Sequence, residues 1–235
     1  MLTHRFDTIL GDIAAEWEVT RLRDVLIRSE SNSGDWGEDA DEVALSVLRS
    51  TNFTNDGHLD LSDIAVRCFA AEKAEQLALR RNDILLERSG GGPDQPVGRV
   101  VFVDRDLPGF GFGNFIHRLR PDENEISPRY LRWVLHEIHR SGVVERLQYQ
   151  TTQMRNLDFR DYIRLILPLP PREEQGRIAE AIDRCDQVVV ATKQLLGIRR
   201  SLHRDEMRGP LNVLKTSLLQ NLLIGRVRLD GKPAL

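Results

Sequence analysis

His136 and His139 sit three residues apart, a spacing that on a helix lets two imidazoles share a metal ion. No third ligand of suitable type lies near them in the sequence, so packed or solvated histidines are the simpler reading. Cys68 and Cys185 are too far apart for a zinc or redox spacing. Gly109-Phe110-Gly111-Phe112-Gly113 has the glycine content of a phosphate loop, but such a loop must open a helix whose N-terminus faces the phosphate. Here Phe115, His117 and Leu119 alternate with Ile116, Arg118 and Arg120 up to Pro121, which is the period of a strand. A nucleotide or S-adenosylmethionine loop is rejected at this position. A metal nuclease needs clustered carboxylates with a lysine two residues after one of them. Of the four lysines only Lys232 has that relation, to Asp230. No nucleophile-elbow signature appears. We expect neither catalytic residues nor a metal site.

Two stretches suit contact better than catalysis. Arg88-Ser89-Gly90-Gly91-Gly92 joins apolar runs at 84–86 and 97–103, which read as strands. Glycines permit positive φ and close backbone approach, so Arg88 beside exposed amides would make a phosphate clamp; a plain hairpin connection fits the same residues. Gln150-Thr151-Thr152-Gln153-Met154-Arg155-Asn156 carries the residue types that hydrogen-bond base edges, and equally those of a solvated loop.

The elements that must position these stretches follow from pattern. Leu22 to Ile27 reads as a strand, 29–42 as an exposed acidic loop, and Val43, Leu45 and Val47 as one face of a strand ending in a turn at 51–57. Ser127-Pro128 caps a helix whose apolar stripe is Leu131, Val134, Leu135 and Ile138. A last strand at 162–167 must stop at Pro168, Pro170 and Pro171. From Ile178 the spacing becomes four and three: Ile178, Ile182, Cys185, Val189, Thr192 and Leu196 form a seam along one helix. The seam fits a coiled-coil arm and fits an amphipathic helix packed on its own domain equally well. Gly209-Pro210 breaks the pattern, so two helices are expected, 172–208 and 210–223, the second lined by Leu211, Leu214, Leu218 and Leu222.

The stretch Pro168-Leu169-Pro170-Pro171, with Glu174, Gln175 and Ile178 following, resembles the opening of the conserved helix in DNA-specificity subunits of Type I restriction–modification enzymes. Residues 214–229 are similar to the helix end and exit strand of that region, and 6–22 to the lead-in of a target recognition domain. The resemblance implies an α+β chain: a β-rich target recognition domain over 1–170, then a long helical coiled-coil conserved region over 171–235. It implies DNA contact by Arg49, Ser50, Thr51 and Asn52 after the first long strand, by Arg88, Ser89, Gly90 and Gly91, by Asn114, and by Thr151, Thr152, Gln153 and Arg155. Ile178, Ile182, Cys185, Val189, Leu196, Leu211, Leu214, Leu218 and Leu222 become dimerisation or subunit-docking residues. Family members usually carry two recognition domains and two helical regions, so one of each reads as a half-sized subunit that pairs as a homodimer on double-stranded DNA. The implied partners are a modification subunit that methylates adenine with S-adenosylmethionine and a restriction subunit that uses ATP, with no cofactor on this chain. The chain itself lacks the Asn/Asp-Pro-Pro-aromatic motif of such a methyltransferase, because Leu169 precedes its Pro170-Pro171.

Composition agrees with a soluble protein of 235 residues, 40% hydrophobic and 29% charged, without a membrane-length apolar run. The first residues carry no signal-peptide core, and a cytoplasmic location is expected. The net charge of −3 is unevenly spread: from 24 to 63 ten acids face two arginines, whereas from 193 to 232 nine bases face three acids. Arginine outnumbers lysine 29 to 4, which suits bidentate phosphate and guanine contact and fits an arginine-biased genome as well. A coiled-coil adaptor without a DNA role and a nuclease with an unrecognised site are the rival readings.

Overall fold

Ile84, Leu85 and Leu86 are all fully buried, yet they serve two different cores, because successive strand residues face opposite ways. That strand lies at the centre of a three-layer arrangement. A computed structural model describes residues 10–11, 13–32, 42–91, 96–150, 154–195 and 210–226, with all of their side chains except those of 194 and 210–212. Most of the acidic loop (33–41), Gly92 and Pro93, Thr151, Thr152 and Gln153, Leu196, and the exit strand beyond 226 lie outside the described residues.

In chain order the elements are β1 (Glu18–Arg21), β2 (Leu26–Ser31), β3 (Glu42–Leu48), β4 (Ala65–Ala70), α1 (Ala71–Leu77), β5 (Ile84–Glu87), β6 (Ser89–Gly90), β7 (Val100–Phe102), β8 (Phe110–Phe112), β9 (Ile116–Pro121), α2 (Pro128–Arg140), β10 (Gln148–Gln150), β11 (Arg155–Leu157), α3 (Phe159–Tyr162), β12 (Ile166–Leu169), α4 (Arg172–Leu195) and α5 (Pro210–Leu223). The central sheet runs β2-β9-β5-β7, antiparallel throughout. Its Ile84, Leu86, Val100, Phe102 and Leu119 face α2, α4 and α5. Its Leu85, Val101, Val103 and Ile116 face the second sheet, β4-β3-β8, and α1. Two short sheets complete the fold, β1-β12 and β10-β11-β6.

The proline stop holds only in part. β12 continues through Pro168 to Leu169, where Pro168 lies opposite Val19. A strand with a neighbour on one side only tolerates the missing N–H. The strand expected at 162–167 starts late: Tyr162 ends the one-turn α3, capped by the Asp158 side chain accepting from Asp161 N, and β12 begins at Ile166. Leu22 to Val25 is a 3-10 turn rather than the start of a strand, and its two buried residues are spaced by the three that such a turn eclipses. Ser127 caps α2 as its sequence predicts, accepting from Tyr130 N.

α5 folds back along α4. Lys215 pairs with Asp186, while Gly225, just past α5, abuts Trp17, whose Nε1 donates to Glu174 at the start of α4 (3.2 Å). Gly225 has φ +72°, and a Cβ there would lie 2.7 Å from the Ala14 Cβ, so the close approach requires glycine. Ile178, Ile182 and Leu222 belong to the same core as Trp17 and Tyr130, and Val189 is also buried. At these positions the seam read for partner docking is internal: the 4-3 spacing marks burial against α2 and α5. Leu218 packs half-buried on that core, Cys185 is half-buried, and Leu214 is exposed; the side chain of Leu211 lies outside the described residues.

Candidate nucleic-acid interface

Strand register gathers four separate stretches at one edge. β3 and β8 are parallel, with Leu48 opposite Phe112, so the turns that follow them leave side by side, and Gly113 N donates to Leu48 O (2.8 Å). Those turns carry Arg49–Asn52 and Asn114–Phe115. β5 ends at the same edge with Glu87 opposite Ile116, and Arg88 N donates to Phe115 O (2.8 Å). Next, Ser89 and Gly90 pair with Asn156 and Arg155 of β11. Of the polar run Gln150-to-Asn156, Gln150 ends β10, and Arg155 and Asn156 lie on β11, which pairs antiparallel with β10 and with β6.

The gathered residues are not equivalent. Asn52 is buried: its amide donates to Asp60 O (2.9 Å) and Asp63 O (2.8 Å), and its Oδ1 accepts from Arg49 N (2.8 Å). Its polar capacity is committed to shaping the turn, so it is a turn-former, not a free contact. Arg49 is paired with the exposed Asp63 at 2.9 Å. The Ser89 hydroxyl donates to Asn156 Oδ1 (2.8 Å), tying β6 to β11. Asn114 projects from a tight turn closed by Ile116 N to Gly113 O (3.1 Å) and is exposed. Gly90 and Gly91 hold φ of +112° and +65°, conformations that glycine adopts without strain. Arg88 is half-buried and has no carboxylate partner among the described residues. Beside it, His117 is buried and stacked on Phe159 (centroids 3.6 Å apart). Burial, reinforced by the Arg88 charge, holds the His117 pKa down at about 4, so the ring is neutral at physiological pH.

One residue that sequence reasoning passed over organises this edge. Arg99 is buried, makes a bidentate ion pair with the buried Glu87 (2.8 Å to each oxygen), and donates to Phe53 O (2.8 Å) and Ser50 O (3.1 Å). It fixes the end of β5, and hence Arg88, against the turn that holds Ser50. The signal was available: Arg99 shares strand parity with Val101 and Val103, so an arginine stands on an apolar face and must be paired there. Three exposed apolar side chains, Phe115, Tyr149 and Met154, also lie along this edge or its hairpin.

A second polar region joins the helices to the sheets. Asp183 of α4 accepts from Trp133 Nε1 (2.7 Å) and pairs with Arg129 and Arg132. Asp186 pairs with Lys215 and with His58 Nε2 (2.8 Å), and Lys193 reaches Asp56 (2.9 Å). Burial pushes the Asp186 pKa up, but the His58 and Lys215 contacts outweigh it and hold the carboxyl well below its ordinary value. His136 lies beneath Gly57, and its burial, with Lys215 nearby, holds it neutral. His136 and His139 therefore belong to packing, and among the described residues no group of three or more potential ligands forms a metal site. No helix among the described residues is long and apolar enough to cross a membrane.

The sequence model of the Type I restriction modification DNA specificity domain matches residues 14–197. The putative type I restriction enzyme MjaX specificity subunit of Methanocaldococcus jannaschii is 24% identical over 185 residues, 77% of this chain and 42% of that protein. Among solved structures, the HsdS subunit from Thermoanaerobacter tengcongensis superposes with a TM-score of 0.53 at 17% identity, covering 76% of this chain and 44% of that one. The S subunit of a Type I restriction–modification system from M. genitalium gives 0.51 at 19%, covering 88% and 48%. The two structures share the mixed α/β fold, and the chain spans less than half the length of all three relatives. Specificity subunits of such systems recognise DNA and are not themselves catalytic. The matched span runs from just before β1 to just past α4, and on it this chain belongs to the family of Type I restriction modification DNA specificity domains.

Proposed function

We propose that this chain reads DNA sequence with the edge formed by Ser50, Arg88 to Gly91, Asn114 and the β10–β11 hairpin, as one of two recognition domains in a bipartite assembly. The observation that carries the reading is the convergence: residues from four stretches meet at one end of β3, β5 and β8. A half-buried arginine without a carboxylate partner among the described residues, beside glycine backbone held at positive φ, suits a phosphate; the exposed polar side chains around it suit base edges. Residues 1–170 would form the reading unit and 171–235 the helical arm. A second copy docks, on this proposal, through the apolar side chains that α4 and α5 leave exposed, Val188, Leu195, Val213 and Leu214. The complete assembly directs a modification subunit that methylates adenine with S-adenosylmethionine, and an ATP-using restriction subunit.

Two identical reading surfaces related by a two-fold axis require an interrupted palindrome. The 24 residues of α4 span about 36 Å at 1.5 Å per residue, close to one turn of duplex, which sets the expected spacing of the half-sites. Methylome sequencing of cells that express the chain with its cognate methyltransferase tests this. An interrupted palindrome is expected. A continuous asymmetric motif would overturn the paired arrangement, and two dissimilar half-sites would mean pairing with a different recognition domain.

A further inference from the structure

Of the phenylalanines among the described residues, Phe115 is the one left most open to solvent, at 37% exposed, whereas Phe53, Phe69 and Phe112 are buried. Its position is rigid: its carbonyl accepts from Arg88 N, and the turn before it is closed by the Ile116 to Gly113 bond. Its ring stands over Gly90, where a Cβ would lie 3.9 Å from Phe115 Cδ2 and 4.0 Å from Ser50 Oγ. Gly90 thus forms a bare floor with an aromatic wall on one side and a hydroxyl on the other. On β11, Arg155 lies directly opposite Gly90, so by register its side chain leaves the sheet on the Gly90 side. An apolar ring held in the open among hydrogen-bonding groups on a DNA-facing edge fits one feature of the major groove best. That feature is the thymine C5-methyl group, the apolar mark that distinguishes an A·T pair there. We infer that Phe115 is a specificity-determining residue that packs on the methyl group of one thymine in the target site, with Gly90 kept small so that the base edge can approach. The inference rests on the DNA-reading proposal and deepens it.

The test uses the full chain and duplexes selected by it from a random-sequence library, with each thymine replaced in turn by deoxyuridine, which differs only in lacking the methyl. At one position the replacement should weaken wild-type binding about fourfold, the worth of one buried methyl-sized group. Phe115→Ala should bind the thymine and deoxyuridine duplexes equally at that position, since the partner of the methyl is gone, while Phe115→Leu keeps part of the preference. An exposed site allows both variants to fold, which unchanged melting confirms. Losses for Phe115→Ala that add to those of deoxyuridine at every position would overturn the inference while leaving DNA reading intact. Failure of the wild-type chain to select any sequence would overturn the DNA-reading proposal, and this inference with it.

Discussion

The two polar regions of this molecule are built on opposite principles. At the joint between helices and sheets, Asp183, Asp186, Lys193 and Lys215 each meet an opposite charge, and the Asp186–Lys215 pair at its centre is buried. At the reading edge, Arg88 has no carboxylate partner among the described residues, Asn114 is exposed, and Phe115 and Tyr149 stand open to solvent. A satisfied network fixes geometry and has little left to offer a ligand. An unsatisfied edge has weak internal cohesion and must be held from behind, and Arg99 with Glu87 does that. The difference teaches where to separate stability from recognition: variants at the joint and the clamp should unfold the protein, and variants at the edge should change only what it binds.

The largest effect is expected at the clamp. Arg99→Ala strands the buried Glu87 carboxylate and removes two bonds to the Ser50–Phe53 turn, which should cost about 3–5 kcal/mol in denaturant unfolding. A loss below about 1 kcal/mol would show that the clamp is not what holds the edge. Acid should act next. His117 holds its pKa at about 4, against an ordinary value of 6.5. Above pH 6.5 both folded and unfolded chains carry a neutral ring, so stability is unaffected. Between 6.5 and 4 the unfolded chain takes a proton that the folded one refuses, and stability falls by up to about 3 kcal/mol. His136, also held neutral by burial, adds in the same direction. The depressed Asp186 extends the loss below the ordinary carboxylate range, as its unfolded form protonates first. Melting from pH 7 to 4.5 measures the histidine contributions, and His117→Leu should flatten the slope.

At the edge itself the effects become selective. Arg88→Ala should leave melting unchanged within about 0.5 kcal/mol while weakening duplex binding and lowering its log–log salt slope by about one unit. An unchanged slope would remove Arg88 from the phosphate contacts. Arg49→Ala should cost less than about 1 kcal/mol of stability, because its Asp63 partner is exposed to water.

How much of this was legible in the sequence depends on whether the signal was local. Alternation revealed β3 and β9, the apolar run at 84–86 revealed β5, and Ser127-Pro128 placed α2, because period, apolar runs and capping are properties of neighbouring residues. The 4-3 spacing from Ile178 correctly gave a helix with one apolar face but could not say what covers it, since burial by α2 and α5 and burial by a partner impose the same pattern. The candidate contacts came from the family resemblance as four unconnected stretches. Their convergence depends on the parallel pairing of β3 with β8, a long-range register with no local signature. The resemblance made Asn52 a DNA contact, while its residue type fits a turn, and three hydrogen bonds commit it to its own turn.

Backbone hydrogen exchange of the free and duplex-bound protein tests the central claim most directly. The account predicts that DNA slows exchange at 88–91 and 113–116 and in the β10–β11 hairpin, while the amides of 180–190 in α4 exchange as in the free protein. Protection concentrated on α4 and α5, with the edge unchanged, would contradict it.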